Sequence, residues 1–308
     1  MELSEIKVAI ITGASSGIGR VTARALVCKA GWRVVLSARR EIELQETAVL
    51  CRKDYATALN KSVGDVGHSA FLDSSSVTED HESAPKDLTL VVPGDVTKEE
   101  DVKRLFEAAV AEYGECYGDF ALKVDVAGGL IIRQGGWMFY SMLNAGITGP
   151  TCPLEQLPLA DFEAVIKINL VAAVLCTQQA IKCFKTQRPP GGRIINNGSL
   201  AAHVPRPHAA AYAISKHAIL GLTRSTQLEG RTFGITCTQI DIGNAMTQMA
   251  HGTATSGALQ PDGSTRVEGA IDAQHVANAV VHIAGLPLDV TVLEMNIMAT
   301  NMPYVGRG

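Results

Sequence analysis

The chain has 308 residues, is 46% hydrophobic and carries a formal net charge of -4. It is long enough to bury a large core, and without a Pro/Gly/Ser linker between two patterned halves it reads as one α/β domain. The absence of a basic run sets aside nucleic acid and anionic membranes as partners, and no apolar run approaches the roughly 20 residues that span a bilayer. MELSEIK enters the first strand too soon to leave room for a signal peptide. Seven scattered cysteines include no C-x-x-C pair and no metal-ligand spacing. They fit a reducing compartment, so the expected location is cytoplasmic, with no metal.

The organising stretch is residues 8–20, VAIITGASSGIGR. Residues 8–11 are a short β-branched run of the kind that suits a strand buried on both faces. Gly13, Gly17 and Gly19 follow in the spacing TGxxxGxG. There the missing side chains let the backbone turn sharply and let a pyrophosphate approach bare amides. A helix opening at Gly17 points its positive end at that phosphate. A glycine-rich turn without a ligand is the alternative, and the strand before and helix after weigh against it. Gly31 ends the helix, and residues 33–37 read as the second strand.

The residues after that strand bear on cofactor choice. A carboxylate there accepts ribose hydroxyls, whereas this chain offers Ala38, Arg39 and Arg40. A guanidinium pairs with the 2′-phosphate that a carboxylate would repel, so the expected cofactor is NADP(H), with Arg39 as its contact. The competing reading is an ordinary solvated helix start.

Residues 41–53 read as a helix. Residues 54–86, rich in Ser, Asp, Glu, His and Gly, lose periodicity and read as a long surface insert. Residues 88–92 restore a buried strand, and beyond it Asp95 and Val96 stand where an adenine ring could lie. Residues 98–113 form an amphipathic helix with Val102, Leu105, Phe106, Ala109 and Val110 on one side. Residues 122–126 look like a strand start and residues 142–146 like a strand end. Residues 127–141 are therefore expected to be a second insert, since joining 126 to 142 gives the continuous strand and turn VDVMLNAGI. Residues 157–185 read as helical, interrupted early by Pro158 and containing Asn169. Residues 193–197 read as a strand that runs into Gly198 and Ser199, and residues 209–230 as a helix carrying Tyr212 and Lys216. A strand over 235–240 ends at Ile242 and Gly243. Residues 246–270 are Gly-, Thr- and Ser-rich with scattered apolar residues, 273–284 read as a helix and 290–297 as the last strand. The sustained alternation predicts a doubly wound parallel sheet with ligands at the carboxyl ends of its strands.

Tyr212 and Lys216, four apart on one helix, share a face. An unaided phenol is a poor acid-base group at neutral pH, and a neighbouring ammonium favours its ionised form. A serine hydroxyl can donate to a carbonyl oxygen on which charge develops. Taken alone, Y-x-x-x-K is common by chance and is more often a helix-surface pair.

TGASSGIG at 12–19, NAG at 144–146, Asn169, Ser199 and YAISK at 212–216 occur together in a familiar order and approximate spacing. They resemble the short-chain dehydrogenase/reductase superfamily over nearly the whole chain apart from the two inserts. The resemblance implies a single domain built on a Rossmann-type, mostly parallel sheet of about seven strands. It implies Tyr212 as proton donor or acceptor, Ser199 holding the carbonyl or hydroxyl, Lys216 binding the nicotinamide ribose, and Asn169 positioning a water that relays protons. Implied cofactor contacts are Gly13, Ser15, Ser16, Gly17, Ile18 and Gly19 in the turn, Asp95 and Val96 at adenine, Asn144 beneath the cofactor, and Ile242 and Thr247 at nicotinamide. Ile242-Gly243 stands where the family usually has Pro-Gly, so the turn loses a stiffening ring.

The expected activity is NADP(H)-dependent interconversion of a secondary alcohol and a ketone on a small-molecule substrate. The expected assembly is a homodimer or homotetramer joined through the helices that hold Asn169 and Tyr212. A 3-oxoacyl reductase and a nucleotide-binding regulator without chemistry are the rival readings. The complete Asn, Ser, Tyr and Lys set argues against the regulator. His203 and His208 after Ser199, and Met246, Met249 and Leu259 further on, are candidate pocket residues.

Overall fold

The computed structural model describes residues 7–66, 88–114, 138–247 and 256–306. From the N-terminal side, β1 (Lys7–Thr12), α1 (Gly17–Ala30), β2 (Arg33–Ser37), α2 (Glu41–Val66), β3 (Thr89–Val91) and α3 (Glu99–Gly114) alternate. β4 (Met138–Leu143) follows. Next come α4 (Leu159–Ile166), a π-helical turn over Lys167–Val171, and α5 (Ala172–Thr186). The C-terminal part holds β5 (Gly192–Asn197), α6 (Ala210–Gly230), β6 (Ile235–Ile242), a small hairpin of β7 (Ala258–Leu259) and β8 (Thr265–Arg266), α7 (Ala273–Gly285) and β9 (Glu294–Ile297).

Seven parallel strands make one sheet in the order β3-β2-β1-β4-β5-β6-β9. Strand alternation builds the two layers. Ala9 and Ile11 of β1 face a core with Leu26, Val27, Leu44, Val276 and Ile283, whereas Val8 and Ile10 face one with Leu105, Phe106, Phe184, Ile194 and Ile219. Helices α1, α2 and α7 thus cover one face and α3, α5 and α6 the other, the doubly wound Rossmann-type arrangement. Strand order reverses between β1 and β4, and the crevice at that switch point is where such sheets bind ligands.

Several boundaries differ from expectation. α2 continues through residues 54–66 instead of ending near residue 53. Buried Cys51, half-buried Tyr55 packed on the core, and an Arg24–Asp54 ion pair at 2.7 Å anchor its middle. The rest of the first expected insert, residues 67–86, lies outside the described residues. β4 begins at Met138, so the last residues of the second expected insert form the front of the strand, with Ala9 paired to Tyr140 and Ile10 to Ser141. The strand start expected at 122–126 lies outside the described residues. β9 begins at Glu294: Val290 closes a turn, its N–H donating to Pro287 O at 3.1 Å, and both Val290 and Leu293 are exposed. The β7–β8 hairpin, for which the sequence gives no expectation, turns at Asp262-Gly263, with Gly263 at φ 80°.

Candidate active site

β1 delivers its chain into a turn that needs glycine. Gly13 at φ 64° and Gly17 at φ 54° occupy the left-handed region. A β-carbon on Gly13 would lie 3.1 Å from both Ala145 N and Asn144 Nδ2, and one on Gly19 would collide with the Gly13 carbonyl. Ser16 caps α1 in extended conformation, and the first helical turn holds no acidic residue. That end of the helix is therefore receptive to an anion.

Asn144 stitches the turn to its neighbours. Its N–H donates to Thr12 Oγ1 at 3.1 Å, its Nδ2 to Gly13 O at 3.4 Å, and its Oδ1 accepts from Asn197 Nδ2 at 2.8 Å. Gly13, Ser15, Ser16, Gly17, Ile18, Arg39, Asp95, Val96, Asn144 and Thr247 all line one cleft of about 460 Å³. Gly19 does not line it but packs close against the Gly13 carbonyl. Ile242, 7% exposed, sits in the core and does not line the cleft.

The charge in this cleft is arranged for a phosphorylated ligand. Arg40, which also lines it, donates to Ser15 Oγ at 3.0 Å and Ser16 Oγ at 2.9 Å. Its other partner is Glu43 at 3.3 Å. Arg39 is exposed and lines the same wall. The Asp95 carboxyl lies below its ordinary value. Burial pushes it up, but hydrogen bonds from Thr97 N–H and Oγ1, helped by the charges of Arg39 and Lys98, outweigh that effect. The glycine cradle, the uncompensated helix end and the paired arginines fit a nicotinamide dinucleotide.

The four expected catalytic residues fall around the ends of β4, β5 and α6. Lys216 is buried and donates from Nζ to Asn197 O at 2.7 Å, with Nζ 5.5 Å from the centroid of the half-buried Tyr212 ring. Asn169 sits in the π-helical turn, a feature frequent at functional sites. Its Oδ1 accepts from Ile147 N at 2.8 Å, while Nδ2 donates to Ile147 O at 2.9 Å and Ser215 Oγ at 3.0 Å. The amide thereby clasps the segment after β4 to the helix of Tyr212. Asn169, Asn197 and Lys216 share the lining of a small cavity. Ser199 caps a 3-10 turn over Leu200–Ala202, against which α6 packs, and its Oγ accepts from Ala201 N at 3.2 Å.

Other residues around Ser199 escaped the sequence reading. Asp241, wholly buried on β6, accepts from Ser199 N at 2.9 Å. Its signal was a lone carboxylate between Ile240 and Ile242 in a strand with no other charged residue. Arg206 pairs with buried Glu268 through its two terminal guanidinium nitrogens, and Glu268 also accepts from Asn244 and Gln260 at 3.0 Å each. Among the described residues, ligand atoms of His203, Asp241 and Glu294 lie within 4.8 Å of one another. Asp241 is already committed to hydrogen bonds and Glu294 to Arg224 at 2.7 Å, so the group reads as a bonded cluster and not a cation site. No helix among the described residues is long and apolar enough to cross a membrane.

Comparison with known proteins agrees with this geometry. Residues 7–76 and 137–256 match the short chain dehydrogenase family. Cis-4-hydroxycyclohexanecarboxylate dehydrogenase of Sinomonas cyclohexanicum is 31% identical over 262 residues, covering 83% of this chain and 82% of that protein. Among solved structures, an alcohol dehydrogenase from the archaeon Thermococcus sibiricus, complexed with 5-hydroxy-NADP, has a TM-score of 0.66 at 21% identity, covering 97% of this chain and 99% of that one. A 3-ketoacyl-(acyl-carrier-protein) reductase from Brucella melitensis, complexed with NADH, also gives a TM-score of 0.66 at 21% identity, covering 96% and 98%. These two likenesses speak to the fold, and one holds an NADP derivative while the other holds NADH. With the family match and the 31% identical relative, the chain belongs to the short-chain dehydrogenase family of oxidoreductases.

Proposed function

We propose that the chain is an NADP(H)-dependent oxidoreductase interconverting a secondary alcohol and a ketone on a small molecule, with Tyr212 as the proton donor or acceptor. The carrying observation is the placement of a buried ammonium, Lys216 Nζ, beside the Tyr212 ring and against Asn197 O. A cation there stabilises the phenolate that accepts a proton from an alcohol and stabilises the same phenolate left after donation to a ketone. Ser199 Oγ accepts from Ala201 N–H, which leaves its own proton to donate to the substrate oxygen. Asn169, by clasping Ile147 and Ser215, holds the wall of the site, and we assign it the positioning of a relay water.

Gly13, Ser15, Ser16, Gly17 and Ile18 would hold the pyrophosphate, Asp95 and Val96 the adenine, and Asn144 and Thr247 the nicotinamide half. A nicotinamide dinucleotide held there gives or takes the hydride. Arg39 and Arg40 carry the preference for a 2′-phosphate, since two guanidinium groups at the cleft wall match a dianion. We also propose a cytoplasmic homo-oligomer joined through α5 and α6, supported by the exposure of Ile214 and Leu228 on α6 and of Val171 just before α5. Nicotinamide oxidation and reduction measured on a panel of ketones and secondary alcohols, with NADPH and NADH binding followed in parallel, tests the reading. Binding without turnover on any of them would replace the enzyme with a nucleotide-binding regulator.

A further inference from the structure

The loop that carries Ser199 hangs on one carboxylate. Asp241 Oδ1 accepts from Ser199 N at 2.9 Å and from Gln239 Nε2 at 2.7 Å, while Oδ2 meets His203 Nε2 at 2.8 Å. Asp241 is 0% exposed. The approach depends on Gly198, because a β-carbon there would overlap Asp241 Oδ1. The contacts thus bracket the catalytic serine, at its own N–H and at the residue just beyond the 3-10 turn.

The other ionisable groups around this cluster are Glu294 on β9, paired with Arg224 of α6, and Tyr304 in the C-terminal segment. The Tyr304 hydroxyl is pushed up by burial and by the charge of Asp241.

We propose that Asp241 and His203 form a positioning staple that sets the backbone of Ser199 for its contact with the substrate oxygen. The inference rests on the reading of Ser199 as the donor to that oxygen. Oδ1 is filled by two N–H donors, so the bond to His203 falls to Oδ2. An aspartate accepts from a neutral imidazole carrying its proton on Nε2, and also from an imidazolium. The native staple therefore holds whether or not His203 is protonated. With asparagine at 241, the amide oxygen stays with Ser199 and Gln239, and the NH2 group turns to His203. Only a neutral imidazole with a bare Nε2 can accept it, and protonation sets two donors face to face.

Asp241→Asn should therefore create an acid sensitivity that the native enzyme lacks. The test is steady-state turnover of the full chain between about pH 8 and about pH 5.5, with NADPH affinity followed by fluorescence. D241N is expected to lose about tenfold more kcat than the native enzyme across that range, with NADPH affinity unchanged. The double variant D241N/H203Q is expected to lose this extra fall, because the glutamine carbonyl accepts from asparagine at every pH. A D241N profile parallel to the native one, or the same fall in the double variant, would overturn the staple. Should D241N fail to fold, the native background serves. His203→Gln can still donate to Asp241 and His203→Ala cannot, so kcat of H203Q should exceed that of H203A by about tenfold. Equal kcat would also overturn it. Ser199→Ala separates the two levels: inactive S199A with a pH-insensitive D241N sinks the staple alone, whereas fully active S199A removes the role of the serine and the staple with it.

Discussion

Lys216 Nζ stands 5.5 Å from the centroid of the Tyr212 ring while donating at 2.7 Å to the carbonyl of Asn197 at the end of β5. One buried ammonium therefore joins the tyrosine helix to the strand that leads into Ser199. Replacing Lys216 with Met removes that charge without opening a large void. The expected result is a fall in kcat of about 100-fold or more at neutral pH. Steady-state turnover beside the native enzyme checks it.

Arg39 and Arg40 differ in their contacts at the cleft wall. Arg40 is engaged with Ser15 and Ser16, whereas Arg39 stands exposed beside it. Arg39→Ala is expected to weaken NADPH by about tenfold, the loss of one charge-assisted contact, and to leave NADH nearly unchanged. Arg40→Ala should weaken both, because it also releases the serines of the glycine turn. Titration of each variant with both dinucleotides measures the difference. Equal losses for NADPH and NADH in R39A would remove the 2′-phosphate assignment.

Glu268 ties the β7–β8 segment to Arg206 and Asn244. Burial alone would raise its carboxyl, but hydrogen bonds from Arg206, Gln260 and Asn244 together with the Arg206 charge leave it below its ordinary value. A carboxyl depressed in the folded state contributes stability above its unfolded value, near 4.5, and that contribution is lost as pH falls through the lower folded value. Glu268→Gln should therefore destabilise the protein by about 2 kcal/mol at pH 7. The gap to the native protein should narrow in acid below about pH 4. Denaturant unfolding at the two pH values reads this directly.

Ser141 is 1% exposed in β4, and among the described residues its hydroxyl has no hydrogen-bond partner. An orphaned buried hydroxyl costs free energy that an apolar group of similar shape does not. Ser141→Ala is expected to stabilise the fold by about 1 kcal/mol, seen as a raised unfolding midpoint with unchanged denaturant slope.

Much of this arrangement was legible in the residues. The glycine turn, the stop at Gly31, the second strand and the Tyr-Lys helix all follow from local chemistry: positive φ, a helix cap, a β-branched run, a four-residue spacing. β4 was misread because its front, MFYS, lies in a Gly-rich aromatic stretch without alternation. What makes it a strand is parallel pairing with β1 and β5 on either side, a long-range fact that no window along the chain contains. α2 ran longer than expected because contacts such as Arg24–Asp54 support residues whose propensity alone is weak. Asp241 and His203 lie far apart in sequence, and only the sheet register brings them to one another across Ser199.

The most direct test of the account is Tyr212→Phe, which removes one oxygen and keeps the ring beside Lys216. NADPH binding should be retained, and turnover on a reactive ketone should fall by about 100- to 10,000-fold, the contribution of a positioned acid-base group. Native turnover in that variant would contradict the assignment of Tyr212 as the group that moves the proton.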